Sequence, residues 1–127
     1  MKTLLASLAL AAVAASPALA QPDGRQLFAD NCSACHQPTG KGIAGAFPAL
    51  DGDRFVTGDP GAVAHTVLYG RGGMPSFKDQ LSDEQIAAIL TYVRSAWSNK
   101  AGPETPQAVD AARAGPAASA HAQLQAH

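Results

Sequence analysis

The sequence predicts a small all-α domain without a sheet, because it carries three helix-start patterns and no convincing strand. Each pattern pairs a polar N-cap residue with a following amphipathic stretch. No run of alternating apolar and polar residues, which would indicate a strand, lies between them. Gly- and Pro-rich loops over residues 37 to 58 and 70 to 81 separate the helices. Loops of this length in a small domain usually enclose something functional.

The first predicted helix begins after Asp23, which together with Gln26 has the spacing of a capping box. It carries the apolar residues Leu27 and Phe28 and continues into Cys32. The first helix therefore leads directly into the cysteine-containing segment.

Two further helices are predicted downstream. One begins after Asp59, an N-cap followed by a proline at the first helical position, and ends at Gly70. The other begins at a second capping box, formed by Ser82 and Gln85, and reaches Trp97. Both have apolar faces at helical spacing, which comprise Val63, Val67 and Leu68 in the first helix and Ile86, Ile89, Leu90 and Val93 in the second.

The segment Cys32-Ser33-Ala34-Cys35-His36 has the C-x-x-C-H spacing of a covalent haem c attachment site. Each thiol can form a thioether with one vinyl group, and a two-residue gap on a helical turn presents both sulfurs to one porphyrin edge. His36 follows directly and offers an imidazole nitrogen to the iron. The predicted cofactor is therefore one haem c, bound through two thioethers at Cys32 and Cys35 and ligated by His36.

Other chemistries also use closely spaced cysteines. A disulfide would suit an exported protein, and C-x-x-C occurs in thiol redox proteins, although that motif expects a βαβ setting that is absent here. A structural zinc site normally takes four ligands, and this chain offers Cys32, Cys35 and His36 with His65 as a distant fourth. The histidine directly after the second cysteine favours haem over these alternatives.

Met74 is the predicted second axial ligand of the iron. It is the only methionine left once Met1 is removed, and it lies between glycines and a proline rather than on a periodic apolar face. The alternatives are that Met74 fills a gap in the core, or that His65 takes the distal position instead. A closed His36/Met74 site favours electron transfer over oxygen or peroxide chemistry and raises the reduction potential relative to two imidazoles.

The chain divides into three parts. Residues 1–20 resemble a cleaved secretory signal peptide, with a positive start, an apolar run and a small-residue cleavage site. That run is shorter than the roughly 20 residues needed to span a bilayer, so no membrane anchor is expected. Residues 21–98 form the predicted domain, and the Ala/Pro-rich residues 99–127 form a predicted flexible tail. Without Lys2 the net charge is about −2, which does not suggest nucleic-acid binding.

These features resemble the class I c-type cytochromes. The C-x-x-C-H motif, the Gly73-Met74-Pro75 loop and the last helix match that family in order and spacing over residues 22 to 98. More narrowly, the segments 47 to 50 and 72 to 77 resemble cytochrome c domains that serve periplasmic quinoprotein alcohol dehydrogenases and haem-copper oxidases. The resemblance implies a small cytochrome c fold, with three or more helices wrapped around one covalently attached haem and no sheet.

The resemblance also implies roles for residues outside the two motifs. Gly24 and Phe28 would cross the last helix near Tyr92, with Gly24 permitting a close approach of the two backbones. The carbonyl of Pro48 would accept a hydrogen bond from the non-ligating nitrogen of His36, which would fix the tautomer and orientation of the ring.

The predicted function is electron transport rather than enzymatic catalysis. The chain would be a soluble periplasmic monohaem cytochrome of a respiratory chain, carrying single electrons between redox proteins. A quinoprotein dehydrogenase is the expected donor, and a terminal oxidase or another cytochrome the expected acceptor. The alternative is a haem enzyme or gas-binding sensor with an open sixth position. A peroxidase-like site, however, requires polar distal groups, and the sequence offers no clear His/Arg distal pair.

Overall fold

The computed structural model describes residues 20–115 and contains only helices as regular elements in that range. In chain order they are α1 (Gly24–Asn31), α2 (Ser33–His36), α3 (Pro60–Tyr69), α4 (Asp83–Ser95) and α5 (Pro106–Ala114). The predicted all-α class is confirmed for this part of the chain. The proposed signal peptide falls almost entirely outside the described residues. Among residues 20–115, no helix combines the length and apolar character that a bilayer crossing requires.

The predicted helix starts are present, with one difference in detail. At α4 the capping box is complete: Ser82 N–H donates to Gln85 Oε1 at 2.9 Å, and Gln85 N–H donates to Ser82 Oγ at 3.2 Å. At α1 the Asp23 carboxylate accepts from the N–H of Gln26 at 3.2 Å, but the Gln26 side chain donates forward to Asp30 instead. The first cap is therefore one-sided, because the Gln26 side chain extends toward Asp30 one turn ahead instead of back to the N–H of Asp23.

Helices α1 and α4 cross at Gly24. A Cβ atom built there would lie 2.0 Å from the carbonyl oxygen of Ala88 and 3.2 Å from Cβ of Tyr92. Phe28 is buried beside this crossing, with its ring centroid 5.5 Å from that of Tyr92 and 5.6 Å from that of Trp97. The expected close approach at Gly24 is confirmed. The aromatic contacts of Phe28 add to the packing at this crossing, and each contributes about 0.5–1.5 kcal/mol beyond the burial of its surface.

The C-terminal end of α4 anchors the long loop between α2 and α3. The buried Arg94 donates from Nη1 to the carbonyl of Val56 at 2.8 Å. The buried Asn99 accepts from the N–H of Gly52 at 2.8 Å and donates to the carbonyl of Leu50 at 2.9 Å. Both buried side chains thus find hydrogen-bond partners in the loop backbone. The same bonds give partners to loop backbone groups that lie outside regular structure.

The structure corrects the predicted tail over residues 99–115. Val109 of α5 is 0 % exposed, and Arg113 forms an ion pair with Asp83 of α4 at 2.7 Å. The prediction of a flexible segment is wrong for this stretch, and residues 116–127 lie outside the described part of the chain. Low apolar content does not exclude burial. A short Ala-rich helix can still dock through one buried valine and a polar anchor.

Candidate functional site

The junction of α1 and α2 brings three of the four predicted site residues together. The N–H of Cys32 donates to the carbonyl of Phe28 at 2.9 Å, which completes the last turn of α1. The carbonyl of Cys32 then accepts from the N–H groups of Cys35 and His36, at 3.2 and 3.0 Å, which begins α2. Both cysteines are half-buried free thiols. The two sulfurs and the imidazole therefore lie within one short helical turn.

The environment of the thiols disfavours two of the alternative chemistries. Burial, and to a smaller extent the neighbouring Cys35, raises the pKa of the Cys32 thiol to about 11. Catalytic redox cysteines have a lowered pKa instead, because the thiolate is the nucleophile. Within residues 20–115, no group of three or more His, Cys, Asp and Glu side chains is arranged to hold a metal ion. Neither a thiol redox centre nor a zinc site is supported by this arrangement.

The imidazole of His36 is fixed by the loop that follows it. His36 is 9 % exposed, and its Nδ1 lies 2.9 Å from the carbonyl oxygen of Pro48. Because a carbonyl oxygen can only accept, Nδ1 donates in this contact. In the neutral ring Nε2 then keeps the lone pair that a metal ligand requires. The expected contact between Pro48 and His36 is confirmed.

Trp97 supports the same loop from the α4 side. Its Nε1–H donates to the carbonyl of Pro38 at 3.1 Å. Pro38 lies two residues after His36, so the indole holds the backbone at the point where the chain leaves α2. From the sequence, Trp97 can be placed only near the end of the last predicted helix. Its contact with Pro38 has no local sequence signal, because the two residues lie 59 positions apart.

Met74 lies at the end of a tight turn that fixes its main chain on both sides. Its N–H donates to the carbonyl of Arg71 at 3.0 Å, and its carbonyl accepts from the N–H of Arg71 at 3.3 Å. Gly70 packs directly beneath: its φ is +76°, and a Cβ atom there would lie 2.4 Å from the Met74 carbonyl oxygen. The Met74 side chain is half-buried and packs against the apolar core, as does that of Cys32.

The loop that carries Met74 closes on the end of α3. Phe77 N–H donates to the carbonyl of Val67, and Lys78 N–H to that of Leu68, both at 3.1 Å. The Ser76 hydroxyl also donates to the Leu68 carbonyl, at 2.5 Å. These bonds satisfy carbonyls of the last helical turn, which have no partner within the helix. The loop therefore leaves and returns to the same end of α3, and its ends are held together by backbone.

His65 occupies a different environment from Met74. It is exposed on α3, and its ring centroid lies 4.6 Å from that of Tyr69 on the same helix. A neighbour one turn away accounts for its position without any ligand role. His65 thus lies on the surface of α3, whereas the Met74 side chain is half-buried against the core.

The residues present fit a covalently bound haem. Two free thiols one turn apart and an imidazole with a free Nε2 form the attachment side. The adjoining loop carries large apolar side chains that remain exposed in the protein, namely Ile43, Phe47 and Phe55. The Arg71 guanidinium carbon lies 5.2 Å from the Phe55 ring centroid, which joins this loop to the Met74 loop. Apolar surface of this kind beside a cofactor motif suits the large apolar face of a porphyrin.

Comparison with known proteins places the chain in a family. The family model described as cytochrome c oxidase, cbb3-type, subunit III matches residues 20–93. Cytochrome c-552 of Thermus thermophilus is 38% identical over 114 residues, covering 77% of this chain and 73% of that protein. Cytochrome c6 of the diatom Phaeodactylum tricornutum superposes with a TM-score of 0.50 at 29% identity, covering 58% of this chain and 90% of that one.

Two other relatives are much longer than the segment that matches this chain. The cytochrome c subunit of a quinone alcohol dehydrogenase of Gluconobacter oxydans is 34% identical over 99 residues, which is 68% of this chain. The cbb3-type cytochrome c oxidase subunit CcoP of Rhodobacter capsulatus is 42% identical over 82 residues, which is 57% of this chain. The matched segment spans only 20% and 28% of those two relatives. Cys32 and Cys35 imply covalent haem c. The family match and the C-x-x-C-H motif together show that this chain belongs to the c-type cytochromes of the cbb3-type subunit III family.

Proposed function

We propose that this monohaem c-type cytochrome carries single electrons between periplasmic redox proteins, with His36 and Met74 as the two axial ligands of its iron. The observation that carries the proposal is the 2.9 Å contact between His36 Nδ1 and the Pro48 carbonyl. It leaves Nε2 free as a ligand in a fixed orientation. The rigid turn at Met74, hydrogen-bonded on both sides to Arg71, supports the second ligand.

The chain's own residues contribute orientation and a low-polarity setting. Pro48 holds the His36 ring in one orientation, and the turn between Arg71 and Met74 fixes the methionine backbone. Both contacts would limit movement of the two residues that would hold the haem iron. When bound, the haem supplies reversible one-electron chemistry at its iron. Two permanent protein ligands would leave no iron position for a substrate, which is why we favour a carrier over an enzyme or gas sensor.

The proposed compartment and partners rest on the sequence and on the names of relatives. A cleaved secretory signal over residues 1–20 would deliver the chain to the periplasm, where haem c proteins of this kind would meet their partners. One relative is a subunit of a quinone alcohol dehydrogenase and another is a subunit of a cbb3-type oxidase. A quinoprotein dehydrogenase as donor, and a terminal oxidase or another cytochrome as acceptor, are therefore the proposed partners.

Absorption spectroscopy of the purified holoprotein tests the axial ligands. We expect the oxidised wild type to be low-spin and to show the weak long-wavelength band of methionine-to-iron charge transfer. Met74→Ala should lose this band and lower the reduction potential, since a thioether ligand raises it. His65→Ala serves as the matched control, because His65 is exposed and should leave both properties unchanged. Rapid carbon monoxide binding to the reduced wild type would instead support an open sixth position.

A further inference from the structure

Helix α5 lies beyond the family match, which ends at residue 93, yet it packs against the two elements that flank the Met74 loop. One of these is α3, which precedes the loop, and the other is α4, which follows it. Val109 of α5 is fully buried in the shared apolar core. The helix is thus an integral part of this fold for which the proposed electron-carrier function gives no reason.

Arg113, in the last turn of α5, holds the segment that leaves the Met74 loop. Its Nη1 donates to the carbonyl of Lys78 at 2.5 Å, and its Nη2 to the carbonyl of Leu81 at 3.2 Å. Its Nε donates to Asp83 Oδ1 at 2.8 Å, within an ion pair. The planar guanidinium makes all three bonds at once, which a lysine ammonium on a flexible stem does less well.

The same residue also holds the segment that enters the loop. Tyr69, the last residue of α3, donates its hydroxyl to the carbonyl of Arg113 at 2.5 Å. The Lys78 ammonium lies 5.7 Å from the Tyr69 ring centroid, so the two loop ends also meet side by side. One residue outside the family match therefore joins both ends of the loop between Tyr69 and Lys78.

We propose that Arg113 is a positioning residue that clamps the base of the Met74 loop and thereby keeps the methionine sulfur on the iron. This inference rests on the proposed His36/Met74 ligation. A loop opens locally with a free energy set by the bonds that close it. Removing the clamp raises the population of the open loop, in which an added ligand can replace Met74.

Arg113→Gln in the full-length holoprotein is the main test, with imidazole as the competing ligand. We expect imidazole to bind the oxidised variant about tenfold more tightly than the wild type, because the loop opens more often. Hydrogen exchange at the amides of Phe77 and Lys78, which bond to the end of α3, should accelerate by a similar factor. Arg113→Lys should restore part of the wild-type behaviour in both measurements, since lysine keeps the charge but lacks the planar guanidinium.

Three controls separate clamping from general destabilisation. Arg25→Gln makes the same charge change on the exposed face of α1 and should alter neither measurement. Ile89→Val weakens the core of α4 and should lower the thermal midpoint without the selective change at the loop amides. Tyr69→Phe removes only the hydroxyl on the entering side and should give a smaller change of the same sign, even if Arg113→Gln folds poorly.

The possible results distinguish the clamp from the ligand assignment. Unchanged imidazole affinity and loop exchange in Arg113→Gln and Tyr69→Phe, with the methionine-to-iron band present in the wild type, would overturn the clamp alone. The same imidazole gain in Ile89→Val would also overturn it. A wild type without that band would overturn the His36/Met74 ligation and, with it, the role of the clamp in retaining Met74.

Discussion

Substituting Gly24 by alanine should weaken the contact between α1 and α4, because the added carbon has no room at the crossing. The added Cβ would lie 2.0 Å from the Ala88 carbonyl oxygen and 2.6 Å from its carbonyl carbon. Both are backbone atoms, so no side-chain rotation relieves the overlap. The helices must instead move apart by roughly 1 Å, and a gap of that size forfeits a quarter to a half of the contact energy across it.

The expected loss of stability follows from two opposing effects. Overpacking in a close-packed interface typically costs about 1–3 kcal/mol, and a better helix former returns at most about 1 kcal/mol. Because the overlap is with backbone atoms, we take the upper part of the overpacking range, about 2–3 kcal/mol. The net loss is then about 1–2 kcal/mol, or a fall of roughly 4–16 °C in the thermal midpoint of a domain of this size. The added separation would act directly on the buried contact between Phe28 and Tyr92.

Thermal denaturation of the holoprotein, followed by circular dichroism, measures this change. Gly61→Ala is the matched control, because Gly61 also lies in the first turn of a helix, but its added Cβ would lie 3.6 Å from Asp59 Oδ2, an ordinary van der Waals contact. That substitution should leave stability unchanged or raise it by up to about 1 kcal/mol. Equal midpoints for Gly24→Ala and wild type would refute the argument that the crossing excludes a side chain.

Two other predictions concern the C-terminal part of the domain. Glu104 is 6 % exposed, and its Oε2 has no hydrogen-bond partner among residues 20–115. Burial raises the pKa of this carboxyl above the ordinary 4.5. The folded state therefore holds this proton more tightly than the unfolded state, and stability attributable to Glu104 falls as pH rises from about 4.5 through the raised pKa. Glu104→Gln should be more stable than wild type at neutral pH. Urea denaturation should show that the difference in unfolding free energy between the two proteins closes near pH 4.5, and a difference that widens on acidification would contradict this. Trp97→Phe should lose the hydrogen bond to Pro38, at a cost in stability of about 1 kcal/mol. It should also speed hydrogen exchange at the amide of Gly42, which bonds to the His36 carbonyl. Unchanged exchange at Gly42 would show that the indole does not support the loop.

Local patterns made much of this molecule predictable. The Ser82 capping box, the N-cap at Asp59 and the C-x-x-C-H turn each depend on residues within a few positions of one another, so sequence spacing alone describes them. The contact of Pro48 with His36 was predicted only through the family resemblance, because it joins residues 12 positions apart across an irregular loop.

The contacts that the sequence did not predict are long-range and polar. Asn99 bonds to Gly52 across 47 positions, and Arg113 bonds to Asp83 across 30. Such pairs have no periodicity, and each side chain by itself is typical of a solvated surface. Low apolar content therefore concealed a docked helix, since the fully buried Val109 is a single residue among alanines and polar groups.

The crossing of α1 and α4 has a consequence for the order of events during biosynthesis. It joins segments about 60 residues apart in the chain, and closing so long a loop is entropically costly and slow. With export N-terminus first, as the proposed signal peptide implies, Cys32 and Cys35 would emerge well before the helix that will pack beside them. The thiols would thus remain accessible for thioether formation during translocation, and burial of the site would wait for synthesis of α4.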